Sequence, residues 1–462
     1  MKNQNPQIQS LKVASNANLK TFVSEHYPLL AILAGFLLVA ISLGPYTNGD
    51  TTWEFEATSG VLKYGLPYAN GFYLIDQPPV GFYIQAAFGG IFGLSIGNGT
   101  FLATLFGLGC VALVYLLGVT LYNKVAGVFA AALLAFSPWH LILSRAFLID
   151  VQCLFFSLLS LALAVLAFRR TSFRLFFASG LIFAVAFNTK LYAVFILIPI
   201  LAFFLHWRPK KVKLTLGWLI AFAMPTLIFS FLWYTVVIGN TLSSISAHSD
   251  FIIQNPSEVV SSPFFATNFL ASYGLGWFLA DAVMLSVIVS LAFYHRFRTF
   301  LFIDLICLAV IICVVGVDTY LGTALNLKAP YQNAIKYCYQ ALPFFALLGG
   351  SLVSKSHSLF SFSKETERLK KTAFILAGSV GVTLAVFALI YNMRYVNIFT
   401  TGEFLIFRVE PSVNYGYSLF NFTPITENSP LMIGQYVGFI LAASGLLWLS
   451  KNRLFGTVNR QK

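Results

Sequence analysis

Two carboxylates one helical turn apart mark the most chemically suggestive stretch of this sequence, GDTTWEFEATSGVLKYG beginning at residue 49. Asp50 and Glu54 share one face of a helix expected over 50–64, while Trp53, Ala57, Val61 and Tyr64 form an apolar stripe on another. Such a helix lies along a membrane surface with its carboxylates toward water or a cavity. A carboxylate there can act as a general base on a hydroxyl or amine, or it can be an ordinary solvated acid. A second constellation, FSPWHLILSRAFLID, carries Arg145 and Asp150 at the boundary between two apolar runs. Charges at such depth are costly and are paired with one another or functional. Two isolated lysines follow, Lys190 in FNTKLYAVF and Lys336, beside Tyr337, in AIKYCYQALP. They are either snorkelling anchors or cations for a substrate whose leaving group is a phosphate. A divalent metal ion would find ligands among Glu54, Glu56, Asp150 and His248. Asp281, in the middle of an apolar run, fits a helix–helix hydrogen bond and a functional role equally.

The elements that must position these residues are transmembrane helices. Of 462 residues, 58% are hydrophobic and only 10% charged, and the mean hydropathy is +0.79. A soluble domain carries about 25% charged residues, so this chain cannot clothe a water-exposed surface. Its net charge of +13 sits in short segments between apolar runs, which points to membrane topology and excludes nucleic acid as a partner. The five cysteines, Cys110, Cys153, Cys307, Cys313 and Cys338, form no CxxC pair and read as small buried hydrophobes. Tyr27–Pro45 lacks a small-residue cleavage site and reads as a retained anchor.

Apolar runs long enough to span fall near 27–46, 99–121, 125–142, 147–168, 173–188, 190–206, 214–238, 270–293, 300–317, 334–352, 373–391 and 431–450. Val80–Ile96 holds four glycines and could lie along the interface instead of crossing. With both termini cytoplasmic, 22 of the 29 basic residues fall on the cytoplasmic side, Lys355 in a basic 353–372 loop among them. The seven on the opposite side are Lys63, Arg145, Lys190, Lys328, Lys336, Arg394 and Arg408. This split sets the orientation, because basic residues avoid the non-cytoplasmic side. Acidic residues run the other way, 11 of 16 outside. Charge sidedness does not explain that bias, and chemistry on the external face is the natural candidate. The expected layout is a 1–26 tail, a membrane domain over 27–352 with its first external loop at 47–98, the basic loop, C-terminal helices over 373–450 with an external loop at 392–430, and a 451–462 tail.

The stretch from Asp50 to Gly65 resembles the first external loop of the glycosyltransferase family 39 group. These are lipid-linked-sugar transferases of GT-C fold, including protein O-mannosyltransferases and aminoarabinose transferases. There an aspartate opens a surface helix that ends in a glycine about fifteen residues on. QPPVGFY resembles the family's [KH]PPL.Y stretch, FSPWHLILSRAFLID its SP…SR….D segment, NTK its T-K-G turn, and KYCYQALPFFALLGG its late R-Y…P helix. The matches keep family order over about 300 residues. Thr51 stands where the family usually has Glu, Gln77 where it has a basic residue, and Lys336 near its arginine, with the charge kept and bidentate geometry lost.

The resemblance implies an all-α GT-C-type bundle of about twelve membrane helices in the plasma membrane. It implies an inverting transferase that moves a sugar from a polyprenyl-phosphate donor to a glycan, lipid or protein acceptor on the non-cytoplasmic face. Asp50 is then the general base. Arg145, Asp150, Lys190, Lys336, Tyr337 and Gln77 handle substrate and phosphate, and Glu54, Glu56 and His248 are metal candidates. The large lumenal domain of eukaryotic O-mannosyltransferases is absent, which suggests a prokaryotic-type member. The rival class is a transporter or flippase of lipid-linked sugars, which would concentrate polar groups at the bilayer midplane and show internal repeats. An O-antigen-type polymerase or ligase shares substrates and sidedness. It would need an arginine-rich external loop, and 392–430 offers Arg394 and Arg408.

Overall fold

A computed structural model of the chain describes residues 19–47, 49–74, 78–207, 215–233, 235, 277–324 and 338–361. Over these residues the protein is a helical bundle. Its first half comprises α1 (Leu19–Leu43), α2 (Gly49–Tyr64), α3 (Val80–Phe92), α4 (Ile96–Leu121), α5 (Lys124–Ala135), α6 (Pro138–Leu143), α7 (Asp150–Arg170) and α8 (Phe173–Thr189). A 3-10 turn, Leu191–Ile196, leads into α9 (Leu197–Trp207), followed by α10 (Thr215–Trp233), α11 (Trp277–Ala292), α12 (Tyr294–Ala324) and α13 (Leu342–Ser361). Segments of α1, α4, α7, α10 and α12 are each long and apolar enough to cross a membrane, and the chain is a multi-pass membrane protein. Ten of the twelve expected runs coincide with described helices, and 373–391 and 431–450 lie outside the described residues.

Where expectation and structure differ, local chemistry explains it. The run 125–142 is broken into α5 and α6 because Pro138 supplies no N–H and drives Ser137 to extended angles (φ −64°, ψ 125°). Val80–Ile96 yields α3, whose 13 residues reach about 20 Å. That is well short of the roughly 30 Å hydrocarbon core. A hairpin joins α2 to α3, β1 (Tyr68–Ala69) pairing antiparallel with β2 (Phe72–Tyr73). Asn70 (φ 53°) and Gly71 (φ 88°) form its turn, an Asn-Gly signal legible in the sequence. The last described helix runs to Ser361, nine residues past the expected end at 352, so Lys355 belongs to a buried helix and not to a loop.

The bundle has two chemically distinct ends. From Asp150, α7 runs to Arg169 and Arg170, turns at Thr171 (φ 51°), and α8 returns the chain to Lys190. Asp150 and Lys190 therefore share one end, and Arg169, Arg170 and Arg174 the other. Arg169 also donates to the Thr120 carbonyl near the end of α4, which ties that basic end together. Between the ends, α4, α5, α7 and α13 pack around fully buried residues such as Trp139, Phe344 and Phe345. Leu38 and Ile41 on α1, and Leu227 and Phe231 on α10, face outward, as a lipid-facing surface requires.

Candidate active site

The turn between α6 and α7, residues 144–149, is the hub of the Asp150 end. The backbone before α2 is stitched to it: Tyr46 N donates to Arg145 O at 2.7 Å, and Tyr46 and Ala146 form a parallel bridge. Arg145 Nη1 donates to Gly44 O at 2.8 Å and its Nε to Leu141 O at 3.2 Å. From α4, Thr104 Oγ1 donates to Ser144 O at 2.9 Å. From α3, Gly81 approaches so closely that a Cβ there would lie 2.8 Å from Ile149 Cγ2 and 2.9 Å from Thr189 Cγ2. Glycine is what lets α3 touch the hub and the end of α8 at once.

Asp150 opens α7, where a negative charge meets the positive end of the helix dipole. Its partner is Lys190, whose Nζ lies 2.8 Å from Oδ1 and 2.9 Å from Oδ2. The pairing between Arg145 and Asp150 suggested by their proximity in sequence is replaced by this one across 40 positions. Arg145 serves carbonyl oxygens instead, and although burial lowers its pKa to about 10 it stays cationic at neutral pH. Lys190 is not a bare interfacial anchor. It is 16% exposed against 2% for Asp150, and its Nζ also sits 5.8 Å from the Tyr192 ring centroid.

Asp50 lies, half-buried, in the first turn of α2, which begins at Gly49 and ends before Gly65 (φ 75°) as the residue pattern requires. Ala57 and Val61 are buried and Trp53 packs beside them, but Tyr64 is exposed. Thr51, Glu54 and Thr58 are buried as well, so α2 is covered on two sides. Glu54 does not face water: its Oε2 accepts from Ile149 N at 2.7 Å. Glu56 is exposed and accepts from Asn70 N at 3.4 Å. Among the described residues no group of three or more His, Cys, Asp and Glu side chains is arranged to hold a metal ion.

Gln77, His248, Lys336 and Tyr337 lie outside the described residues. The chain next described after Tyr337, at Cys338, lies against the same hub. Gln340 Nε2 donates to Cys153 Sγ at 3.5 Å, and Cys153 is one turn into α7. Tyr339, in the 3-10 turn Tyr339–Ala341, bonds His140 Nδ1 through its hydroxyl at 2.6 Å. His140 Nε2 donates to Gly107 O at 3.1 Å, which leaves Nδ1 to accept from Tyr339. His140 lies within the FSPWHLILSRAFLID segment. Its signal was a lone histidine in an apolar run.

The arrangement brings Asp150 and Lys190 into contact, places Asp50 one turn from Glu54, and ties Glu54 to the residue before Asp150. An anionic group at this end would meet a lysine ammonium that Asp150 already holds. Solved structures share the architecture. ArnT from Cupriavidus metallidurans in the apo state superposes with a TM-score of 0.62 at 14% identity, covering 92% of this chain and 73% of that one. The GT-C fold is the fold of this chain. The same protein bound to undecaprenyl phosphate gives a TM-score of 0.59 at 15% identity, with coverage of 92% and 73%. The apo oligosaccharyltransferase from Archaeoglobus fulgidus gives 0.52 at 14% identity, covering 80% of this chain and 56% of that one. Residues 76–234 match the family described as "Dolichyl-phosphate-mannose-protein mannosyltransferase". A Bacillus subtilis (strain 168) protein described as "Putative mannosyltransferase YkcB" is 29% identical over 158 residues, 34% of this chain. That stretch spans 22% of the relative's own length. The family match over residues 76–234 contains the hub, Asp150 and Lys190, and does not include α2.

Proposed function

We propose that the chain is a membrane glycosyltransferase that moves a sugar from a polyprenyl-phosphate donor to a glycan, lipid or protein acceptor on the non-cytoplasmic face of the cell membrane, with both termini cytoplasmic. Asp50 takes the proton from the acceptor hydroxyl or amine as its heteroatom attacks the anomeric carbon. The bond between that carbon and the phosphate oxygen breaks in the same step, inverting the centre and releasing the lipid phosphate with its negative charge. Lys190 receives that charge, with Arg145 adding to the local positive potential, and Lys336, Gln77 and Tyr337 are further candidates for handling substrate and phosphate. Asp150 holds the lysine in place.

The observation that carries this reading is the Asp150–Lys190 pair. Both carboxylate oxygens engage one ammonium, which keeps its partial exposure and has three hydrogens to share. A lysine in that state can turn toward a phosphate oxygen without losing its carboxylate. The likeness to a fold seen with undecaprenyl phosphate bound adds to it. Glu54, Glu56 and His248 remain candidates for a divalent ion, and no step depends on one.

The test is the lipid fraction of cells lacking this protein. A polyprenyl-phosphate sugar should accumulate and be cleared on return of the wild-type gene. Asp50→Asn should insert normally, because Asn keeps nearly the size and polarity of Asp, yet clear the lipid about 10²–10⁴-fold more slowly, as loss of a general base requires. Clearance by Asp50→Asn at the wild-type rate and matched expression would remove Asp50 from the mechanism.

A further inference from the structure

Glu54 is buried (2% exposed), and its Oε2 reaches the backbone amide of Ile149, 95 positions along the chain. A carboxylate out of water needs charge-assisted donors, and a 2.7 Å N–H···O bond is one. Ile149 is held twice: its amide by Glu54, and its side chain in a cluster with Ala57, Val61, Phe82 and Ala86 from α2 and α3. The next residue is Asp150, which carries Lys190. On α2, Asp50 is one turn from Glu54 on the same face, where Cβ atoms stand about 5–6 Å apart. Thr58, one turn further on, donates to Gln85 Oε1 at 2.8 Å and fastens α2 to α3 as well.

We propose that Glu54 is a positioning residue: by holding Ile149 N it fixes Asp50, on the surface helix, relative to the Asp150–Lys190 pair on the bundle. The inference rests on the transfer reaction proposed above and gives Glu54 a role that involves no metal. Base and leaving-group cation arise from separate elements, so their spacing depends on a strut between them. A displacement of about 1 Å in such a geometry costs on the order of 10²-fold in rate.

Three variants of the full chain separate this role from mere packing. Glu54→Gln keeps an acceptor oxygen at the same reach, Glu54→Asp falls one methylene short, and Glu54→Ala has none. Hydrogen exchange at the Ile149 amide should quicken in the Asp and Ala variants and stay slow in Gln. Undecaprenyl phosphate, used as the probe, should bind all three within about threefold of wild type. Clearance of the accumulated lipid-linked sugar should fall about 10²-fold in Asp and Ala and less than tenfold in Gln. A glutamate that served packing alone would lower binding and clearance together with the yield of folded protein. Wild-type clearance by Glu54→Ala, or a Gln variant as slow as Ala, overturns the inference. Should Asp50→Asn be inactive while Glu54→Ala is not, this inference falls by itself. Should Asp50→Asn clear lipid normally, the transfer reading falls and takes it along.

Discussion

Among the described residues are two lysine–carboxylate pairs, one at each end of the bundle, and they are built to opposite specifications. At one end Lys190 is 16% exposed and Asp150 2%, and the carboxylate grips the ammonium through both oxygens. At the other, Asp304 on α12 and Lys355 on α13 are both fully buried, and hydroxyls surround them. Tyr122 and Ser351 donate to Asp304 Oδ1, each at 2.9 Å, and Ser290 donates to Oδ2 at 2.9 Å. Lys355 Nζ also reaches Ser286 Oγ at 2.8 Å and Ser286 O at 2.9 Å. The sealed pair knits four helices together: α11, α12, α13 and the end of α4. It has no room to trade partners, so it serves as a lock. The open pair keeps a partly exposed ammonium, which is the group the proposed reaction uses. Partner number and exposure, more than charge, separate a site from a strut.

The same substitution at both lysines should break this symmetry. Lys355→Gln leaves Asp304 with no countercharge among its described neighbours. Removing one partner of a buried pair costs about 3–5 kcal/mol. The variant should melt far lower in detergent and accumulate poorly, with activity falling only in proportion to folded protein. A melt within about 1 kcal/mol of wild type would mean that the end is not sealed. Replacing both members, Asp304→Leu with Lys355→Met, should recover most of the loss, because a well-packed apolar pair rivals a buried ionic one.

Lys190→Gln should do the reverse. Its amide still donates to Asp150, and the lysine side is partly open to water, so the melt should shift by less than that of Lys355→Gln. Clearance of the lipid-linked sugar should nevertheless fall by about 10²–10³, the usual cost of losing one donor to a developing anion. Equal losses of stability and clearance would make Lys190 a second lock and deprive the proposed chemistry of its cation.

The two pairs were not equally legible. α2 announced itself through Asp50, the Ala57–Val61 stripe and Gly65, all local signals of helix start, face and end. Lys190 was visible as a lone cation at a helix end, but its partner was not, because a contact across 40 positions leaves no periodic trace. Neighbouring Arg145 was the obvious suitor for Asp150, and the backbone carbonyls of Gly44 and Leu141 claimed it. For Glu54 the sequence leaves water and a cavity both open, since helical periodicity gives a face and not what covers it. Lys355 was misread for a physical reason: apolar runs end where polar residues begin. Ser351, Ser354 and Lys355 are polar residues inside a helix, made tolerable by Asp304 and Asn123. The Asn70-Gly71 turn is a local signal of the same kind as those that mark α2.

The smallest expected effect tests whether the lock is shared among its members or concentrated in the ion pair. Ser351→Ala removes one of the two hydroxyls on Asp304 Oδ1 and leaves Tyr122 in place. A hydrogen bond to a charged group contributes about 1.5–3 kcal/mol, but the carboxylate stays partnered on both oxygens, so the loss should lie near the bottom of that range. The cavity is a single oxygen's worth and adds little. Tyr122→Phe should cost a similar amount, also with a partner remaining on that oxygen. If the hydroxyls act independently, the double variant should lose the sum of the two. If they are a coupled set, it should lose more, because Oδ1 is then left buried without either hydroxyl donor. Losses that merely add, each under about 0.5 kcal/mol, would show that the Lys355 ammonium carries the lock unaided and that the ring of hydroxyls is packing.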